Sequence, residues 1–180
     1  MNSTTWRDRA FEAVERVSAA SGPLRRFVVD RHARAFARVL SRRSDLGPFD
    51  RIVVVGGGLF PRTVLVLRRL FPRAELLVVD RQERSLAIAR RHLVRLGVPL
   101  EGIRFVEGEF PHGPDELRAS DLVVLPLALT GDRASVYRTW EGPPLLIHDW
   151  IWRRPAGRSG TVISYLFLKR LNLVAPGRAA

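Results

Sequence analysis

The sequence predicts an α/β fold: a doubly wound, mostly parallel sheet preceded by two N-terminal helices. Three observations lead there. From Arg51 onward, short β-branched runs alternate with helical stretches, which is the rhythm of strand-helix-strand units. The runs are apolar on both sides, so helices must cover both faces of the sheet. The first run, "RIVVV", passes directly into Gly56, Gly57 and Gly58 and then into a Pro-led apolar segment, as a strand, a turn and a helix would. A chain of 180 residues fills one core, which suggests a sheet domain over 51–180 and a helical cover over 1–50.

In the first fifty residues, Thr5 and Asp8 have capping-box spacing, and residues 6–20 carry Phe11, Val14 and Val17 at helical intervals. "SGP" at 21–23 interrupts and restarts the helix. Over 23–43, Leu24, Phe27, Val28, Phe36, Val39 and Leu40 fall mostly on one side, while Arg34, Arg38 and Arg42 line another. A solvated face is the common reading of such a basic stripe, and a contact with phosphate or an acidic substrate is the alternative. "SDLGPFD" then closes the region with turn formers.

The sheet domain is expected to run as strand 51–55, helix 61–71, strand 74–80 and helix 81–96. Pro61 is tolerated in a first turn, Pro72 falls just past a helix end, and Gly97 stops the second helix. Strands follow at 103–108, 121–127 and 143–149, with helical stretches near 114–119 and 132–140 between them. The segment 161–174 is too long and turnless for one ordinary strand, so a buried helix is expected there, with a strand possible for its last residues.

Charge and composition narrow the chemistry. The net charge is +12, and of 30 basic residues only Lys169 is a lysine. Arginine-rich surfaces draw in phosphate, so a nucleic-acid partner is possible. Abundant Arg, Ala, Gly and Pro also follow from GC-rich coding, which dilutes that signal. The absence of cysteine excludes disulfides, a thiolate nucleophile and a cysteine-zinc site. "MNSTTWRDRA" lacks the apolar core of a signal peptide, and "TVISYLFL" is far shorter than the roughly 18 residues of a membrane span. The expectation is a cytoplasmic protein.

In a doubly wound sheet, ligands bind outside the carboxyl ends of the strands, closest to the first strand-to-helix turn. Gly56, Gly57 and Gly58 occupy that turn, where the missing Cβ atoms let a cofactor lie against the backbone. Asp80 ends the second strand, where a carboxylate can accept both hydroxyl hydrogens of a ribose. The plainer readings are a tight packing turn and an aspartate capping the next helix, and these are compatible with ligand binding.

With "VVVGGG", "LLVVD", "IRFVEGEF" and "SDLVVLPLAL" in this order, residues 51–150 resemble the class I S-adenosylmethionine-dependent methyltransferases. The resemblance implies a Rossmann-like domain that binds S-adenosyl-L-methionine. Gly56, Gly57 and Gly58 would meet the amino-acid portion, and Asp80, with Arg81 beside it, would meet the ribose. Glu109 and Phe110 would flank adenine, and Pro126 would lie near the reacting centre. Val54 stands where many members carry an acidic residue, and Phe60 where they carry a later glycine. The loop "GGGLFPRTVLVL" is more similar to that of nicotianamine synthases, with Phe60, Pro61 and Thr63 at the matching positions. Those enzymes transfer an aminocarboxypropyl group, so either group could be the one transferred.

Such chemistry needs alignment and, for a weak nucleophile, a base. His148 and Asp149, at the end of the fifth strand, are the candidates, and a purely structural role for either is the alternative. Trp150 and Trp152 could wall an acceptor, with Arg153 and Arg154 gripping an anion. The acceptor is unidentified and possibly acidic. A metal site is not expected, because Leu125, Pro126 and Leu127 stand where catechol-type methyltransferases place an acidic ligand. Two other classes compete: a non-catalytic domain binding nucleic acid or protein through its arginines, and a nicotinamide-dependent oxidoreductase. Pro61 breaks the dinucleotide fingerprint, and the Tyr165–Lys169 spacing alone does not restore it.

Overall fold

The computed structural model describes residues 22–56, 61–110, 120–127, 136–138, 140–153, 159–164 and 169–174. The chain enters through α1 (Gly22–Leu40) and then alternates β1 (Arg51–Val55), α2 (Arg62–Leu70), β2 (Glu75–Asp80), α3 (Glu83–Arg95) and β3 (Ile103–Glu107). β4 (Leu122–Leu125), β5 (Leu145–Trp150), β6 (Ser159–Ser164) and β7 (Lys169–Val174) complete a seven-stranded sheet of order β3-β2-β1-β4-β5-β7-β6. The first five strands are mutually parallel, and β7 runs antiparallel to both β5 and β6.

Alternation along the strands divides the core in two. Ile52, Val54, Leu76, Val78, Leu122, Val124 and Leu146 share one cluster with buried residues of α1, α2 and α3. Val53, Val55, Leu77, Val79, Val123, Leu125 and Ile147 face the other side, where Phe110, Tyr137 and Trp140 pack. β1 is buried on both faces because it lies between β2 and β4 in register, Val54 opposite Val78 and Val124.

The helices bury the residues that their spacing selects. On α1, Phe36 and Val39 are fully buried, each worth roughly 2 kcal/mol of apolar transfer, while Arg34 and Arg38 are exposed. α1 packs against α2, β6 and β7. Arg42 Nη1 donates to the Gly160 carbonyl at 3.0 Å, and Arg31 Nε donates to the Ile163 carbonyl. On α3, Leu86, Ala89 and Leu93 are buried. Gly97, at φ +70°, follows the helix and donates to the Val94 carbonyl at 2.9 Å, as a left-handed glycine after a helix does.

Segment 161–174 departs from expectation: in place of a buried helix it contributes to two antiparallel strands. β5 would otherwise offer an open ladder edge, and β7 fills it from Leu145↔Val174 to Trp150↔Lys169. Arg170 and Asn172 share one face of β7, a period of two that reflects a buried polar network rather than a solvated side. The sheet therefore has seven strands where the sequence suggested five, and β5 extends through Trp150. The helices expected at 6–20 and 114–119 lie outside the described residues. Of 132–140, residues 136–138 are described as helical.

Candidate functional site

Parallel pairing brings the ends of β4, β1, β2 and β3 to one edge in that order. Gly56 continues β1 at φ +86°, and its N–H donates to the Val79 carbonyl at 2.6 Å. A Cβ at this position would lie 3.0 Å from Pro126 Cγ, so both the backbone angle and the close approach of β4 require glycine. Gly56→Ala is expected to destabilise the fold by about 1–2 kcal/mol. A lower urea midpoint at unchanged m-value would register it.

Asp80 is half-buried at the end of β2, and its Oδ1 accepts the Gln82 N–H at 3.0 Å, just ahead of α3. It therefore performs the capping role, with its carboxylate on the edge that Gly56 also borders. Register places Asp80 opposite Glu107, so Glu109 and Phe110 follow on the neighbouring strand end. Glu109 is exposed, and Phe110 stacks on Trp140 at 5.5 Å between centroids. Arg81 is exposed, while Thr63, in the first turn of α2, and Pro126 are half-buried. Gly57 and Gly58, together with Phe60, Arg154 and Tyr165, lie outside the described residues.

His148 and Asp149 are adjacent in β5 and face opposite sides of the sheet. His148 is buried on the α1 side, its Nδ1 3.1 Å from the Leu125 carbonyl and its ring 5.5 Å from Phe36 and 6.1 Å from His32. Because a carbonyl can only accept, the His148 proton sits on Nδ1 and the lone pair on Nε2. Asp149 is fully buried on the other side. Its Oδ2 accepts the Tyr137 hydroxyl at 3.0 Å, and its Oδ1 accepts the Trp150 N–H at 2.9 Å. Asn172 Nδ2 donates to the Tyr137 hydroxyl oxygen at 2.8 Å, and Arg170 Nε donates to Asn172 Oδ1 at 2.7 Å. The two candidate bases thus belong to separate environments.

Trp150 and Trp152 stack at 5.2 Å with rings 3° from parallel, and Trp152 is 57% exposed. Arg153 is exposed, with Nε 3.9 Å from Asp149 Oδ1.

His32 was not among the sequence candidates, although its spacing to Phe36 and Leu40 puts it on the apolar stripe of α1. Its Nδ1 donates to the Val28 carbonyl at 3.0 Å. Burial, and after it the positive fields of His148, Arg62 and Lys169, push its pKa down to about 3, against the opposing pull of the Val28 carbonyl. Among the described residues, no group of three or more His, Cys, Asp or Glu side chains could hold a metal ion. No described helix is long and apolar enough to cross a membrane.

No family model matches the chain, and no curated protein matches it. Solved structures do. MtNAS, a nicotianamine synthase, in complex with MTA and tNA aligns over 91% of this chain and 68% of its own, at 14% identity and a TM-score of 0.58. A variant of MtNAS in complex with S-adenosylmethionine aligns over 78% and 61%, at 17% identity and a TM-score of 0.54. An RNA methyltransferase from Salinibacter ruber, in complex with S-adenosyl-L-homocysteine, aligns over 79% of this chain and 90% of its own, at 18% identity and a TM-score of 0.51. The chain spans 60% and 61% of the length of two MtNAS structures. At these identities the likeness is one of fold: the Rossmann-like architecture of class I methyltransferases, with its antiparallel β7.

Proposed function

We propose that this domain is an S-adenosyl-L-methionine-dependent transferase, in the first instance a methyltransferase, working in the cytoplasm on an unidentified acceptor. The observation that carries the reading is the convergence of Gly56, Asp80 and Glu109 on adjacent strand ends, in a strand order shared with proteins solved with this cofactor or its product. Gly56 exposes backbone to the amino-acid portion, Asp80 accepts the ribose hydroxyls, and Phe110 lies beside adenine. Of the two candidate bases, His148 fits proton removal better. Its Nε2 carries the lone pair, whereas both Asp149 oxygens already accept hydrogen bonds.

Aminocarboxypropyl transfer is the second reading. It is favoured by the "GGGLFPRT" loop and by the 91% of this chain that aligns with MtNAS. The two differ in what is left behind: methyl transfer leaves S-adenosylhomocysteine, and aminocarboxypropyl transfer leaves 5′-methylthioadenosine. Mass spectrometry of the spent cofactor distinguishes them.

Calorimetry with S-adenosylmethionine and S-adenosylhomocysteine is the direct test. Micromolar binding is expected, weakened about tenfold or more in Asp80→Ala, which corresponds to about 1.4 kcal/mol for the lost ribose hydrogen bonds. Wild-type protein that binds neither compound would overturn the transferase reading.

A further inference from the structure

On the α1 side of the carboxyl edge, four elements bring nitrogen-bearing side chains together. His32 comes from α1, Arg62 from the start of α2, His148 from β5 and Lys169 from β7. The two imidazoles are buried with ring centroids 6.1 Å apart. Strand register fixes the rest of the arrangement. His148 pairs with Leu171 and Trp150 with Lys169, so Trp150 and Lys169 lie on the same face as His148, one pleat nearer the edge. Arg62, Trp150 and Lys169 are half-buried, which places them at the mouth and the histidines beneath.

The chemistry of this cluster favours one class of ligand. Each imidazole gives its Nδ1 proton to a backbone carbonyl, Val28 for His32 and Leu125 for His148. Both Nε2 atoms are therefore lone-pair bearing in the neutral state. Two imidazole lone pairs alone would suit a metal cation, but a guanidinium and an ammonium in the same neighbourhood repel one. An oxyanion reverses the balance, because its charge is attracted to Arg62 and Lys169 and it favours the imidazolium form of the histidines.

We infer that the acceptor carries a carboxylate or phosphate that docks against Arg62 and Lys169 over the His32–His148 pair, and that it enters together with one proton. This inference rests on the transferase reading for the identity of the acceptor, but not for the existence of the subsite. The proton is taken from solvent onto an imidazole Nε2, and no covalent bond is made or broken. The groups bearing on the proton are His32 and, around it, His148, Arg62 and Lys169. Arg31, also on α1, is engaged with the Ile163 carbonyl of β6.

The test uses the cofactor-free full chain, with inorganic phosphate and acetate as separate probes. Each is titrated by calorimetry in buffers of different ionisation enthalpy, alongside ¹⁵N-detected imidazole resonances. Millimolar binding of at least one probe is expected, with uptake of about one proton and affinity strengthening up to tenfold per unit fall in pH near neutrality. Phosphate binding alone marks a phosphorylated acceptor, and acetate binding marks a carboxylate. Arg62→Gln and Lys169→Gln should each weaken binding at least about threefold, while Arg34→Gln, on the exposed side of α1, should leave it unchanged. Absence of binding by both probes, binding without proton uptake, or equal weakening by Arg34→Gln would overturn the inference. Cofactor binding measured separately keeps the two readings apart. Phosphate uptake without S-adenosylmethionine binding sinks the transferase and spares the subsite, and the reverse result does the opposite.

Discussion

Lowering the pH from about 8 to about 4 should remove on the order of 3 kcal/mol of folding stability through His32 alone. Its pKa is about 3 in the folded protein, against a model value of 6.5. In this window the unfolded chain binds a proton that the folded chain refuses, so stability rises with pH. The contribution is complete above the unfolded value and is lost as pH falls from there toward 3. The cause is chiefly burial: protonating His32 would put a charge among Phe36, His148 and the positive fields of Arg62 and Lys169. Urea unfolding across the pH range measures the effect. Because carboxylates also titrate here, the informative quantity is the difference between wild type and His32→Leu. That difference should shrink or reverse in sign as pH falls, and a difference independent of pH would show that His32 is not held neutral.

Asp149→Ala should destabilise the domain by about 3 kcal/mol, or a fall in melting temperature of roughly 6–12 °C. Asp149 is fully buried, and its removal leaves the Tyr137 hydroxyl and the Trp150 N–H without their acceptor. Arg170, opposite Asp149 in the β5–β7 ladder, and Arg153, 3.9 Å away, lose the nearby negative charge. Tyr137→Phe removes one hydrogen bond and should cost only about 1 kcal/mol. The double variant should be less destabilised than the sum, since both changes remove the same bond. Additive effects would mean that Asp149 acts through other partners. A variant that stays folded at 25 °C yet keeps full cofactor affinity would mark Asp149 as a positioning residue for β5 and β7.

The parallel half of the sheet was legible because its strands are apolar on both faces and bounded by Gly, Pro and Asp. Gly56 and Asp80 were legible for the same reason, since a strand's carboxyl end is located once the strand is. β6 and β7 were hidden by two polar residues. Arg170 and Asn172 are buried only because Tyr137, from another element 35 residues before Asn172, accepts an amide proton there. No local pattern in 161–174 announces that partner. The separation of His148 from Asp149 follows from strand alternation and could have been read directly. His32 could not, because an isolated histidine on an apolar helix stripe acquires its character from β5 and β7, which lie far along the chain.

The contacts from α1 to β6 also bear on self-association. β6 is the last strand of the sheet, with β7 on one side only, and an uncovered strand edge is a template on which another copy can polymerise. The guanidinium groups of Arg31 and Arg42 engage the Ile163 and Gly160 carbonyls, and the pairing shifts register between Val162 and Ser164. Bulge and arginines together make this margin a poor seed for aggregation. Part of the high arginine content thus guards solubility, independently of any anionic ligand.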